Sequence, residues 1–385
     1  MKNILIAIRS IFKKGRHNVM KIVSLGIGLA VGLVLIAKVY FEQSYDDFYP
    51  DRDRVYQVWA KYQQNGGELK DYPQTSGGIA PTMQQQIPEI ETVTRYTSFG
   101  DWTFTMTDTK MKYSGRCIIA DSCFFDILPR PMLIGNAKEV LSTPMYVLIS
   151  SRIAKNIGGD VIGKNFTVDN SPGRTMTIGG VFEEVPENSH SRYDVIVSMA
   201  SAGRFMWEGS PTNMLGNDRY ISYVKLHKGV NPLALEEQVR TFVNSYFPPE
   251  EQQKVGLSID FSFHKLDNLH KELPQVKRMT WILSLLAFAL IFTAVMNYIL
   301  IVISSIVNRS KEVAVHKCYG ASENNIHGMM FGEALVHIVL SLILALLLIL
   351  AFRGTVEELL ATSLDSLLLS NGSLVLLGIC ILVFF

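Results

Sequence analysis

The chain has 385 residues, 48% of them hydrophobic and 18% charged, with a formal net charge of +1. Near-neutrality excludes a general nucleic-acid binder. The charged fraction lies below the roughly 25% of an ordinary soluble protein, and the deficit is confined to a few long apolar runs.

Residues 1–21 are basic, with Lys2, Arg9, Lys13, Lys14, Arg16 and Lys21 and no acid. Residues 22–41 follow as an apolar run, and a helix needs roughly 20 such residues to cross the hydrocarbon core. Only Lys38 carries charge there, near the end, where it can snorkel to the interface. A cleaved signal peptide is the competing reading. The run is longer than a usual signal h-region and no A-x-A-like site follows, so a retained first span is predicted. Gly28 and Gly32 make a GxxxG step in it, which suggests close helix contact.

Residues 42–279 are long enough for one or two lobes with their own cores. Val55, Tyr56, Val58 and Trp59 make 54–62 β-prone, and 79–86 reads as a short helix stopped before Pro88. Further β-rich runs are 91–97, 102–107, 111–120, 146–149, 174–182, 193–199 and 220–226. Residues 232–246 place Leu233, Leu235, Val239 and Phe242 on one side of an amphipathic helix. The fold class is membrane α-helical plus a large mixed α+β domain, with 265–278 returning the chain to the membrane as a stalk. Within it, 158–165 fits GxxxxGK, but Asn165 stands where a Walker A loop needs a hydroxyl for Mg²⁺. A helix over 151–156 precedes and a strand over 165–168 follows, the reverse of a phosphate loop, so a glycine-rich turn is predicted. Cys117 and Cys123 could form a disulfide in an oxidising compartment or stay as two buried thiols. His190, His264 and His270 have no partner at metal-ligand spacing, and no catalytic signature stands out; no metal and no cofactor are expected.

The second span is 280–307, holding Asn297, which could hydrogen-bond another helix. The third is 329–352, with Glu333 and His337 one turn apart on a shared face. They are either a functional intramembrane pair or an interfacial pair in contact with water. A fourth apolar run, 374–385, has only 12 residues, too short to span, and is expected to be the start of a fourth helix that continues in a longer protein. Arg309, Lys311 and Lys317 mark the 308–328 loop as cytoplasmic, together with the N-terminus. The 353–373 loop holds Arg353 against Glu357, Glu358 and Asp365, and faces outward with 42–279. In 308–322, Val313, Val315 and Tyr319 are apolar among charges, Gly320 breaks the helix, and Ala321 and Ser322 lead into the next. A short amphipathic element between two spans suits docking of a soluble partner; the alternative is a positive loop with none.

These features resemble the MacB/FtsX-like permease subunits of ABC transporters. The resemblance rests on Asn297, Arg309, Lys311, Glu312, Val313, Lys317, Gly320, Ala321 and Glu333 around the second and third helices. In the outward domain it rests on Phe124, Phe125, Gly135, Ser150, Gly163, Lys164, Gly179 to Val181, Val185, Pro186, Asn188 to His190, Tyr193 and Asp194. Departures are His316, where the family often has arginine, and Cys318. The resemblance implies four spans in a bacterial inner membrane with the N-terminus cytoplasmic, and a MacB-type periplasmic core domain. It implies a non-catalytic permease for export or efflux, with ATP bound by a separate cytoplasmic ATPase. Arg309, Lys311, Glu312, Val313, Lys317, Tyr319, Gly320 and Ala321 would couple to that ATPase. The implied partners are a second permease unit (a homodimer, or the second half of a longer chain), a periplasmic adaptor and membrane lipid. An FtsX-like scaffold controlling a periplasmic hydrolase is the alternative.

Overall fold

The computed structural model describes residues 18–169, 171–308, 314–315, 318–319 and 323–368. They fall into two units, one holding the segments 1–44 and 271–385 and the other 45–270. Helix α1, Asn18–Gln43, opens the first unit; its run of aliphatic residues has no proline to break it.

The inserted domain is built on one mixed sheet. Its strands are β1 (Val55–Gln64), β2 (Lys70–Tyr72), β3 (Ile90–Met106), β4 (Lys112–Ala120), β5 (Met132–Ile134) and β6 (Tyr146–Ser150). The rest are β7 (Asn165–Val168), β8 (Ser171–Phe182), β9 (Val195–Ser198), β10 (Ile221–Leu226) and β11 (Leu257–Lys265). The sheet order is β11-β1-β10-β3-β4-β9-β6-β8-β5, with β2 on β1 and β7 joining β3 to β8. Pairing is antiparallel except between β4 and β9 and between β6 and β8. Helices α2 (Ile79–Gln86), α3 (Ala137–Ser142), α4 (Ser151–Ile157), α5 (Glu236–Tyr246) and α6 (Pro249–Val255) cover the sheet or its ends.

Alternation along β4 sends Ile118 and Ala120 to one core and Cys117 and Ile119 to another. Strands β6 and β9 do the same, with Leu148 and Ile196 in the first core and Val147, Ile149, Val195 and Val197 in the second. Burial on both faces explains the unbroken apolar runs of these central strands. A third core lies under α2 and α5, where Met83, Val239, Phe242 and Val243 meet Val58, Val224 and Phe261.

Several sequence expectations are corrected here. The runs 91–97 and 102–107 are one strand, β3, whose register shifts between Ser98 and Gly100. The amphipathic stretch 232–246 opens as a 3-10 turn, Pro232–Leu235, because Pro232 occupies the first turn after the Asn231 cap. The segment predicted as a stalk is instead the end of edge strand β11, a further 3-10 turn (Leu266–Asn268) and the start of α7. The alternation Leu257, Ile259, Phe261, Phe263 forms β11 itself.

The first unit resumes with α7 (Pro274–Asn308) and α8 (Glu323–Ala351), followed by α9 (Arg353–Leu360) and α10 (Leu364–Leu368). Among the described residues three helices are long and apolar enough to cross a membrane: α1, α7 through Ser304, and α8 from Met330. Residues 374–385, expected to start a fourth, lie outside the described residues.

Candidate functional site

Four structural features bear on function: the packing of the spans, the polar groups within them, the segment between the second and third spans, and the base of the inserted domain. Glycine sets the first. A Cβ on Gly28 would lie 2.2 Å from the Cβ of Ala294, and one on Gly32 would lie 2.4 Å from Ile291 Cγ1. Both distances are below contact, so the GxxxG step presses the backbone of α1 against α7. Gly26 similarly faces Leu344 and the carbonyl of Ser341 on α8.

Glu333 and His337 are both buried, at 8% and 1% exposure. His337 Nδ1 lies 3.5 Å from the Tyr298 hydroxyl of α7, the rings meeting edge to face. One turn further, Ser341 Oγ donates to the Ile22 carbonyl of α1 at 3.1 Å. Residues 333, 337 and 341 thus form a polar line on the buried side of α8. Asn297 lies on an exposed face of α7. Lys38 has protein partners. It is buried, forms a 2.7 Å ion pair with Glu42 one turn on, and donates to Thr362 Oγ1 at 2.7 Å. The nearby carboxylate and hydroxyl supply the partners that water would otherwise provide.

Of the predicted coupling residues, Tyr319 is described and is 89% exposed; Val315, one turn before, is 54% exposed. The Tyr319 N–H donates to the Val315 carbonyl at 3.1 Å, a helical turn that sets both side chains on one side. Arg309, Lys311, Glu312, Val313, Lys317, Gly320 and Ala321 lie outside the described residues.

The base of the inserted domain carries a polar cluster that the sequence reading missed. Asp46 is fully buried and left-handed, with φ of 58°. Its carboxylate accepts from Ser189 Oγ at 3.0 Å and from the His190 N–H at 3.0 Å, while its own N–H donates to the Asn188 carbonyl at 2.9 Å. Burial pushes its carboxyl up to about 6, against the pull of these hydrogen bonds and of His270. Next to it the Tyr45 ring stacks on His270, centroids 3.4 Å apart and planes 6° from parallel. The signal was in the sequence as Asn188, Ser189 and His190. Their partner sits more than 140 positions earlier and no spacing announces it.

A buried charge pair elsewhere in the domain holds the segments around Gly77 and Pro211. Arg95 Nε meets Asp121 at 3.1 Å, and the guanidinium also donates to the carbonyls of Gly77 and Pro211. Burial raises the Asp121 carboxyl despite Arg95.

The 158–165 segment is a turn between α4 and β7. Gly158, Gly159 and Gly163 all have positive φ, and the Gly163 N–H donates to Ile178 of β8. Cys117 and Cys123 do not pair and both thiols are free. Cys117 points into a fully apolar core, where burial pushes its thiol up, whereas Cys123 Sγ contacts the Val93 carbonyl at 3.1 Å. Among the described residues no three His, Cys, Asp or Glu side chains converge as a metal site would require.

A polytopic membrane protein with a large α+β domain inserted between its first and second spans is the class these features define. Residues 20–242 match the MacB-like periplasmic core domain, and residues 284–385 match the FtsX-like permease C-terminal domain. The chain belongs to the MacB/FtsX-like permease family, the membrane subunits of ABC-type transporters. No curated protein matches it. A solved domain of a protein described as a permease from Porphyromonas gingivalis is 33% identical, with a TM-score of 0.52, covering 56% of this chain and 91% of that one. The extracellular domain of the noncanonic ABC-type transporter YknZ from Gram-positive bacteria is 11% identical, with a TM-score of 0.38, covering 54% and 98%.

Proposed function

We propose that this chain is a non-catalytic permease subunit through which a separate cytoplasmic ABC ATPase drives conformational change in the inserted domain, for export or efflux. In this reading the chain lies in a bacterial inner membrane, with its N-terminus and the 308–328 segment cytoplasmic and the inserted domain periplasmic. The basic residues of 1–21 and 308–328 support that orientation. The observation that carries the reading is the exposed pair Val315 and Tyr319 between the second and third spans. A tyrosine left almost wholly in solvent beside an exposed valine is a ready contact for a soluble partner. ATP-driven closure of that partner would draw such elements together, and α7, continuous from Pro274 to Asn308, would carry the motion along its length. Arg309, Lys311, Glu312, Val313, Lys317, Gly320 and Ala321 would complete the contact.

The test uses the full chain in membranes with its ATPase. Tyr319→Ser and Gly320→Val should lower ATPase stimulation several-fold while leaving the permease inserted. Unchanged stimulation with normal complex assembly would remove the docking role.

A further inference from the structure

We infer that the open edge of β11 is a binding site for an extended peptide, which adds to the sheet as a further strand in the groove between β11 and α5. The sheet ends in two edges. One, β5, is 3 residues long; the other, β11, runs 9 residues from Leu257 to Lys265. Edge strands are usually short or covered, because their unpaired backbone groups are a template for another chain. Among the described residues no strand lies beyond β11.

The ladder fixes which backbone groups face outward. The Asn65 N–H donates to the Gly256 carbonyl at 2.7 Å, so this pair and every second pair after it bond β1 to β11. The pairs between them are Tyr62 with Ile259, Ala60 with Phe261 and Val58 with Phe263. In β11 these residues turn their N–H and C=O groups away from β1. The Phe261 N–H agrees: it donates to Asp260 Oδ1 at 2.8 Å, a stopgap from the adjacent side chain. A groove of about 370 Å³ runs here, touching Asp260, Phe261, Ser262 and Phe263 in succession. Side chains alternate faces along a strand, so a groove reached by four consecutive residues lies at the edge and not on one face.

Two arguments make the occupant a peptide. Outward N–H and C=O groups at every second residue are matched by another extended backbone. The far wall of the groove is also charged in step with such a strand. Leu233, Glu236 and Arg240 line it, with the buried Val239 and Phe261 beneath. Neither Glu236 nor Arg240 has an ion pair among the described residues. Four residues of helix rise about 6 Å, and two residues of strand about 6.7 Å. A bound strand therefore sets a base against Glu236 and an acid against Arg240 on residues two apart, with an apolar residue beside Leu233. Asp260, released from the Phe261 N–H, then faces Lys61, its partner across the ladder. The inference stands apart from the ATPase-docking reading, which the Tyr319 variant tests.

The experiment is fluorescence anisotropy on the full chain in detergent. The probes are two labelled heptapeptides with valine, lysine and glutamate at alternate positions, in that order and reversed, and threonine elsewhere. One of them should bind saturably. The same peptide with every amide N-methylated should not, since it keeps the side chains and loses the backbone donors. Arg240→Glu should weaken binding several-fold, and a probe with lysine in place of glutamate should recover it. Asp260→Ala should tighten binding several-fold by baring the Phe261 N–H. Both positions are exposed, so neither change threatens the fold. The inference is overturned if neither probe binds saturably, or if the N-methylated peptide binds equally well. An affinity unchanged by either variant also overturns it.

Discussion

At the scale of single residues, Asp46 is the group most exposed to a simple test. Its carboxyl is raised to about 6 by burial, so the folded chain holds that proton more tightly than the unfolded chain does. The associated stability is fully present below pH 3.8 and is lost as pH rises through about 6. Asparagine keeps the shape, tolerates φ of 58°, and cannot titrate. Wild type should therefore gain on Asp46→Asn by on the order of 3 kcal/mol between pH 7 and pH 4. Unfolding of the solubilised chain followed by tryptophan fluorescence would read this; parallel pH profiles would show that Asp46 does not titrate in this range. Asp121 offers a second test. Asp121→Ala leaves the Arg95 guanidinium buried without its carboxylate, which should cost about 3–5 kcal/mol. Hydrogen exchange should rise at Gly77 and around Pro211, whose carbonyls Arg95 holds; an unchanged exchange pattern would mean that the loop is fixed by other contacts.

At the scale of elements, the contact of α1 with α7 depends on the absence of side chain at two positions. Gly28→Ala places a methyl on Ala294 and should lower the melting temperature in detergent by several degrees. Ala294→Gly in the same chain should recover most of that loss, since it removes the opposing methyl. If the double variant melts no higher than Gly28→Ala, the two residues do not meet. The elements themselves were unevenly readable from sequence. The three spans follow from apolar length alone, and α2 from a short periodic run ended by Pro88. The single strand β3 was split into two runs because Gly100, with φ of 73°, looks like a terminus and is a bulge inside the strand. The alternation of β11 was in plain view, but its serines, Asp260 and His264 diluted the apolar signal that an edge strand carries weakly. The short helices α9 and α10 hide in a stretch too brief for periodicity to register.

At the scale of the whole molecule, sheet order was beyond a sequence reading, because it is decided by pairings between residues far apart. Strand β1 lies between β10 and β11, its partners more than 150 positions away along the chain, and no local pattern encodes that choice. The same holds for Asp46, which was invisible until the fold brought it to Ser189. What the sequence did disclose was the alternation of membrane and inserted segments and the order of small motifs. The placement of Tyr45 against His270 has a consequence for load. The first and last residues of the inserted domain touch ring to ring. A load entering the domain at its two ends therefore arrives at neighbouring points and is met first by two stacked aromatic plates, and the sheet behind them is spared from being drawn out along its strands.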